Sequence, residues 1–296
     1  MGSSGRQGGG LGAPRRWGAA LAAVLWLVQP AVASGHGPVF GLATPTLGKG
    51  GWSLDVGAMY RSAADARLHA AMLKPMLSYG ITEDVQISLS LPVPLYRDAG
   101  LGQARMLMMM PAGTDVELLL GWRFHRRAPA VGTRWESTAY LGVQYPVESR
   151  RQGVRTGPGL LGALATGYVS RSVYVWIGGL YQSRFDASGD RGDDEGDVAM
   201  LSLVLGYRPA LFRREPPSPD WRLFVEAVAE WTDVDRIDGR VRRDSGGWQV
   251  FVGPSVLGLY GAWGIGGGVL LPVHAHLHGA QRRDDLRAAL NLTYWF

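Results

Sequence analysis

The sequence predicts an all-β fold, a single transmembrane antiparallel β-barrel of about twelve strands behind an N-terminal signal peptide. Three observations predict it. Apolar and polar side chains alternate with period two along nearly the whole chain after residue 50, as in strands with one face on lipid and the other in a polar lumen. The chain ends in Tyr294-Trp295-Phe296, with Leu290, Leu292, Tyr294 and Phe296 sharing one face. Its start carries a basic stretch, an apolar run and a small-residue site in that order.

At that start, Arg6, Arg15 and Arg16 precede the apolar run Trp17 to Val28, and Ala31-Val32-Ala33 forms the cleavage site. The run is too short to span a bilayer, which needs about twenty apolar residues, and Gln29 and Pro30 end it. Cleavage is expected after Ala33 by the general secretion route, since Pro14 and Trp17-Gly18 fit a twin-arginine signal poorly. This divides the chain into a signal peptide (1–33), a periplasmic lead-in or lumen segment (34–50) and the barrel (51–296). Of the formal charge of +5, three arginines and no acids lie before Ser34, leaving +2 on the mature chain. So modest a charge gives no reason to expect a nucleic-acid partner. Cysteine is absent, which excludes disulfides, thiolate metal sites and a cysteine nucleophile.

The strands read in order. Trp52, Leu54, Val56, Ala58 and Tyr60 form an outward row, with Asp55 and Arg61 facing the other way. Leu73, Pro75, Leu77 and Tyr79 make the next row, turn at Gly80 to Asp84, and return as Val85, Ile87, Leu89 and Leu91. Thr114 to Phe124 puts Asp115, Glu117 and Arg123 on one face. Trp135 to Tyr145 turns Glu136, Thr138, Tyr140 and Gln144 inward. Leu160 to Val169 joins Val173 to Tyr181 through Ser170-Arg171-Ser172, and Ala199 to Tyr207 follows. Trp221 to Trp231 alternates Leu223, Val225, Ala227 and Ala229 with Arg222, Glu226 and Glu230. The uncharged stretch Val250 to Val273 passes for a transmembrane helix by hydropathy, but its glycines and Pro254 would each weaken one. It reads as two glycine-rich strands turning near Leu259-Tyr260-Gly261. The last strand, Leu286 to Phe296, places Arg287, Asn291 and Thr293 inside. An even count puts both ends in the periplasm. Tyr96 to Gly113, Pro146 to Thr156, Arg184 to Asp197, Thr232 to Gly247 and His274 to Asp285 are the outward loops, while the turns His125 to Arg134 and Pro209 to Asp220 are longer than the periplasmic side prefers.

The terminal aromatic pattern resembles the signal read by the outer-membrane assembly machinery. The chain, especially Ala43-Thr44-Pro45-Thr46-Leu47-Gly48-Lys49-Gly50-Gly51-Trp52 and Tyr79-Gly80-Ile81-Thr82-Glu83-Asp84, is similar to the MetA-pathway phenol-degradation family of outer-membrane barrels. The resemblance covers nearly the whole mature sequence and implies a channel or transporter for passive or facilitated uptake of small, aromatic or hydrophobic solutes. The family's label transfers no particular solute, and no binding residue is carried over.

The inward set, Asp55, Arg61, Lys74, Asp115, Glu117, Arg123, Glu136, Tyr140, Arg222, Glu226, Glu230 and Arg287, is expected to line the lumen, because Arg or Lys on lipid near mid-bilayer costs about 2–4 kcal/mol. Tyr140, Tyr174, Trp176 and Phe224 supply inward aromatics. Such charges either line an open, selective lumen or pair across it and close it. The alternative function is a closed barrel acting as a surface binding or structural protein. Its sharpest form is copper capture: His274, His276 and His278 alternate at an outer loop, a loop carrying His69 lies near once the barrel closes, and Met106, Met108, Met109 and Met110 crowd another. The ordinary reading of these residues is a solvated loop. His36 would be a terminal copper ligand only if cleavage fell after Gly35. The acidic loop Asp186 to Asp197 lacks the spacing of a calcium loop, so weak divalent bridging to lipopolysaccharide is the most it offers. No catalytic residue is expected: no histidine sits mid-strand beside a serine, and Gly-x-Ser-x-Gly does not occur. Nor is any cofactor, since Gly264 to Gly268 and Gly157 to Gly167 are not followed by the Lys-Ser or Lys-Thr of a phosphate loop. Expected partners are outer-membrane lipid and lipopolysaccharide, the assembly machinery and a small-molecule solute.

Overall fold

The computed structural model describes residues 37–63, 67–98, 115–147, 157–185, 195–213 and 218–296. The expected signal peptide, His36, Met106 to Met110 and most of the acidic loop lie outside these residues. Period-two alternation becomes strands throughout: β1 (Trp52–Ala63), β2 (Leu68–Gly80), β3 (Val85–Ser90), β4 (Val93–Arg97), β5 (Val116–Arg127), β6 (Arg134–Tyr145), β7 (Gly159–Val169), β8 (Val173–Arg184), β9 (Val198–Tyr207), β10 (Asp220–Thr232), the small hairpin β11 (Arg236–Ile237) and β12 (Arg240–Val241), β13 (Gly247–Tyr260), β14 (Trp263–Leu277) and β15 (Asp284–Trp295).

Neighbours pair antiparallel in chain order, and β15 pairs with β1 to close the ring. Both β3 and β4 pair with β2, so they are two halves of one broken strand and the barrel has twelve. The break falls at Leu91-Pro92, where proline removes a ladder donor. Beyond it β4 pairs with β2 alone, and among the described residues it has no partner on the β5 side.

The connections 81–84, 128–133, 170–172 and 261–262 are short and sit at the end where β1 begins and β15 finishes, joined there by the longer 208–219; most of the connections at the other end are long, a tendency of outer-membrane barrels. Three expectations need correction. The third strand resumes as β4 past Pro92, so Tyr96 belongs to a strand and not to a loop. β14 runs to Leu277, placing His274 and His276 in a strand, and His69 likewise lies within β2. β5 continues to Arg127 through a bulge after Arg123, which shortens the turn that looked too long. Alternation alone misses these because a bulge or a proline shifts its phase without ending the strand.

The outward rows are left open to the surroundings, with Leu141 62 % and Leu201 66 % exposed. Such faces fit hydrocarbon. Aromatics edge them at the turn end, where Trp52 meets Tyr79 at 4.6 Å, Trp135 meets Tyr168 at 5.2 Å and Trp263 meets Tyr294 at 4.6 Å between ring centroids. Leu290 and Leu292 are exposed on this surface, and Tyr294 stacks on Phe296. No helix among the described residues is long and apolar enough to cross a membrane.

Candidate functional site

The lumen is the candidate site, and it is filled. All twelve residues expected to line it are buried, at 9 % exposure or less, and so are Tyr174, Trp176 and Phe224. The filling falls into three layers.

Towards the long loops, charges pair across the barrel. Arg287 on β15 donates to Glu230 on β10 at 2.6 Å and to Asp284 at 2.7 Å, and its guanidinium lies 3.9 Å above the Phe251 ring. Arg61 on β1 reaches Asp284 at 3.5 Å. On the opposite wall Arg184 on β8 bridges Asp115 and Glu195, both at 2.8 Å. Lys74 and Glu117 attract one another, and the Gln144 amide donates to Glu117 at 3.0 Å. In a water-poor interior such pairing offsets the desolvation of each charge. Of the two arrangements open to these charges, they adopt the paired one.

The middle layer is apolar. Met59, Met72, Leu119, Tyr140, Leu161, Leu180, Met200, Val228, Phe251, Leu270 and Ala289 form one buried cluster, with an inward side chain from every barrel strand except the broken β3–β4, and Val39, Phe40 and Leu42 from residues 37–48 pack into the same cluster. Register brings several of them face to face, Met59 opposite both Met72 and Ala289, Leu180 opposite Met200, and Val228 opposite Phe251. Of this belt, only Tyr140 is among the residues expected to line the lumen. The belt's signal was present in inward positions occupied by methionine and leucine where the neighbouring inward positions are polar.

The third layer, towards the turns, is a strap made of residues 37–48. It is not a strand, yet Val39, Phe40, Leu42, Thr44, Thr46 and Leu47 are all buried within the barrel. Glu226, fully buried on β10, accepts backbone N–H groups from Val39 (2.8 Å), Phe40 (2.8 Å) and Gly41 (2.7 Å), and the Ser255 hydroxyl as well. Leu42 N–H donates to Ser202 at 3.1 Å. The Thr138 and Tyr140 hydroxyls donate to the carbonyls of Thr44 (2.6 Å) and Ala43 (2.8 Å), the Trp176 indole to the Thr44 hydroxyl (3.2 Å), and Leu47 N–H to Gln86 (2.9 Å). An unpaired backbone group inside a barrel is costly, so the wall supplies side chains where a strand partner is missing. Close fit helps: a Cβ on Gly178 would fall 2.5 Å from that of Leu42. Beneath the strap, Arg123 ties Glu136 (3.4 Å) to Asp84 (2.7 Å), and Arg222 binds Asp220 at 3.0 Å while lying 5.2 Å above the Tyr174 ring.

The histidines do not converge. His274 stacks on Trp248 at 4.4 Å, His276 and His278 meet edge-on at 6.3 Å, and His69 bonds the Tyr60 hydroxyl. Among the described residues no three His, Asp or Glu side chains gather as a metal site.

No protein-family model matches this sequence, and no curated protein does. Solved structures do. The COG4313 outer membrane channel from Pseudomonas putida F1 is similar with a TM-score of 0.58, over 85 % of this chain and 97 % of that one, at 13 % identity. The NanC porin gives 0.49 at 10 % identity (81 % and 98 % covered), and the KdgM porin 0.41 at 8 % (82 % and 99 %). At such identities the likeness is one of fold. Strand order, closure and an outward apolar surface with aromatic edges define the class: this chain has the fold of an outer-membrane β-barrel.

Proposed function

We propose that this barrel is an outer-membrane channel for small solutes, closed at rest by its strap, and that it carries out no reaction. The observation that supports this is the nature of the plug. Strand pairing closes the ring without any help from residues 37–48, and what holds them is a set of hydrogen bonds and apolar contacts that can be exchanged for water or solute without breaking a strand ladder. With the strap displaced, a solute entering from the long-loop mouth meets paired charges, then the apolar belt, then the cluster of Tyr174, Trp176 and Phe224. That sequence of surfaces favours small neutral solutes with an apolar or aromatic body over ions. Secretion by the signal segment, insertion through the terminal Leu290, Leu292, Tyr294 and Phe296 pattern, and contact with lipopolysaccharide belong to the same reading.

The test is single-channel conductance of the refolded mature chain in planar bilayers, with and without residues 34–48. The intact chain is expected to be nearly silent and the shortened one to show resolvable steps. Silence in both sinks the channel reading and leaves a closed binding or structural barrel, which the cross-lumen ion pairs favour.

A further inference from the structure

We propose that a small cavity beside Asp55 is a binding site for a small monocation, an alkali-metal ion or a short primary ammonium. The cavity, of about 100 Å³, lies between the strap at Gly37, Val39 and Leu47 and the wall at Asp55, Ser78 and Asn291. No lysine, arginine or histidine is among its lining residues.

The case rests on charge. Eight acidic side chains are buried among the described residues. Asp115, Glu136, Glu195, Glu230 and Asp284 each face an arginine, and Glu117 faces Lys74. Glu226 has three strap N–H groups aimed at it. Asp55, 8 % exposed, has neither. Its hydrogen bonds come from neutral side chains, the hydroxyls of Ser53 (3.0 Å) and Thr293 (2.5 Å) and the amide of Asn291. A carboxylate out of water with no opposite charge is costly, and here it borders a half-open cavity that a cation could enter.

The chemistry of that space selects its occupant. Around Asp55 stand hard oxygen donors, the Ser53, Ser78 and Thr293 hydroxyls, which suit alkali ions and ammonium groups better than soft-ligand metals. One carboxylate balances one positive charge, whereas divalent calcium is normally held by several carboxylate and carbonyl oxygens. The space is ample for an alkali ion with several waters or for methylammonium. Because strap residues form one wall, the site is complete only when the strap is docked, so an occupant stabilises the docked state. This holds whether or not the barrel conducts.

The experiment is thermal unfolding of the refolded mature chain in detergent, followed by the folded-to-unfolded band shift on gels. Sodium, potassium or methylammonium chloride replaces N-methylglucamine chloride at constant ionic strength. A midpoint a few degrees higher in each small cation is expected, together with a flat response in the near-isosteric Asp55→Asn. Should that variant not fold, Asn291→Asp takes its place; the added carboxylate should steepen the response and admit calcium. Identical midpoints in sodium and N-methylglucamine, an undiminished response in Asp55→Asn, or stabilisation of the unaltered chain by divalent ions alone overturns the proposal. Each readout is taken on the closed barrel, so its failure is separate from silence in the bilayer.

Discussion

Glu226 gathers three consecutive backbone N–H groups of the strap on one carboxylate, an arrangement in which each charge-assisted bond is stronger than a neutral one. Glu226→Ala leaves those donors without an acceptor. A buried donor left unsatisfied costs about 1–3 kcal/mol, so the strap should spend far more time undocked. In bilayers the variant is expected to open where the unaltered chain is silent, with Glu226→Gln intermediate because an amide oxygen still accepts. Gly178→Val tests the same docking through shape: its Cβ would lie where Leu42 packs, 2.5 Å from the Leu42 Cβ, and no charge is altered. It should also open the barrel, and a silent Gly178→Val barrel would argue that the strap leans elsewhere.

Among the elements, the apolar belt is a layer to which eleven of the twelve strands contribute. A wall of methionine, leucine and phenylalanine resists wetting, so an ion crossing it loses its hydration with nothing in exchange. On the strap-deleted background, Leu161→Ser together with Met200→Ser should raise single-channel conductance severalfold over strap deletion alone. Equal conductance with and without these changes would place the narrowest passage elsewhere. At the broken strand, β4 holds one ladder among the described residues where the other barrel strands hold two, and its amides should exchange with solvent faster than those of β3. Strands and faces were legible in the sequence because lipid on one side and lumen on the other impose period two; Arg222, Glu226 and Glu230 announced an inward face by charge alone. The strap's path was not legible. Residues 37–48 have no periodicity, and their partners Ser202, Thr138 and Gln86 are ordinary inward polar residues until the barrel brings them together. The surroundings of the histidines were not legible for a related reason. Alternating imidazoles on an extended chain share a side, but sharing a side sets no common focus, and Trp248 and Tyr60 take two of them.

For the molecule as a whole, closure and plugging meet at one place. The seam between β1 and β15 runs from Ser53 opposite Trp295 to Ala63 opposite Asp284, and is finished by the reciprocal bonds of Trp52 and Phe296, N–H to carbonyl at 2.9 and 3.1 Å. Immediately before it, Gly50 N–H donates to the Gly80 carbonyl at 2.8 Å, and the chain turns from the seam into the lumen. Gly50 has φ of +77°, a conformation costly for a side chain with a Cβ, so this turn is where the strap's entry angle is set. The strap has no wall to bind until the ring exists: Glu226, Ser202 and Gln86 stand on three different strands, and their spacing is fixed only by closure. Barrel formation should therefore be insensitive to the strap and sensitive to the seam. Removing residues 34–48 is expected to leave the rate and yield of folded barrel in detergent close to those of the mature chain. Deleting Phe296 removes the last pair of seam bonds and the ring stacked on Tyr294 and Trp52, and should lower the folded yield. The folded-to-unfolded band shift measures both. A strap deletion that cripples folding while loss of Phe296 does not would mean that the wall closes around the strap as a template, and residues 37–48 would then be part of the barrel's core rather than its gate.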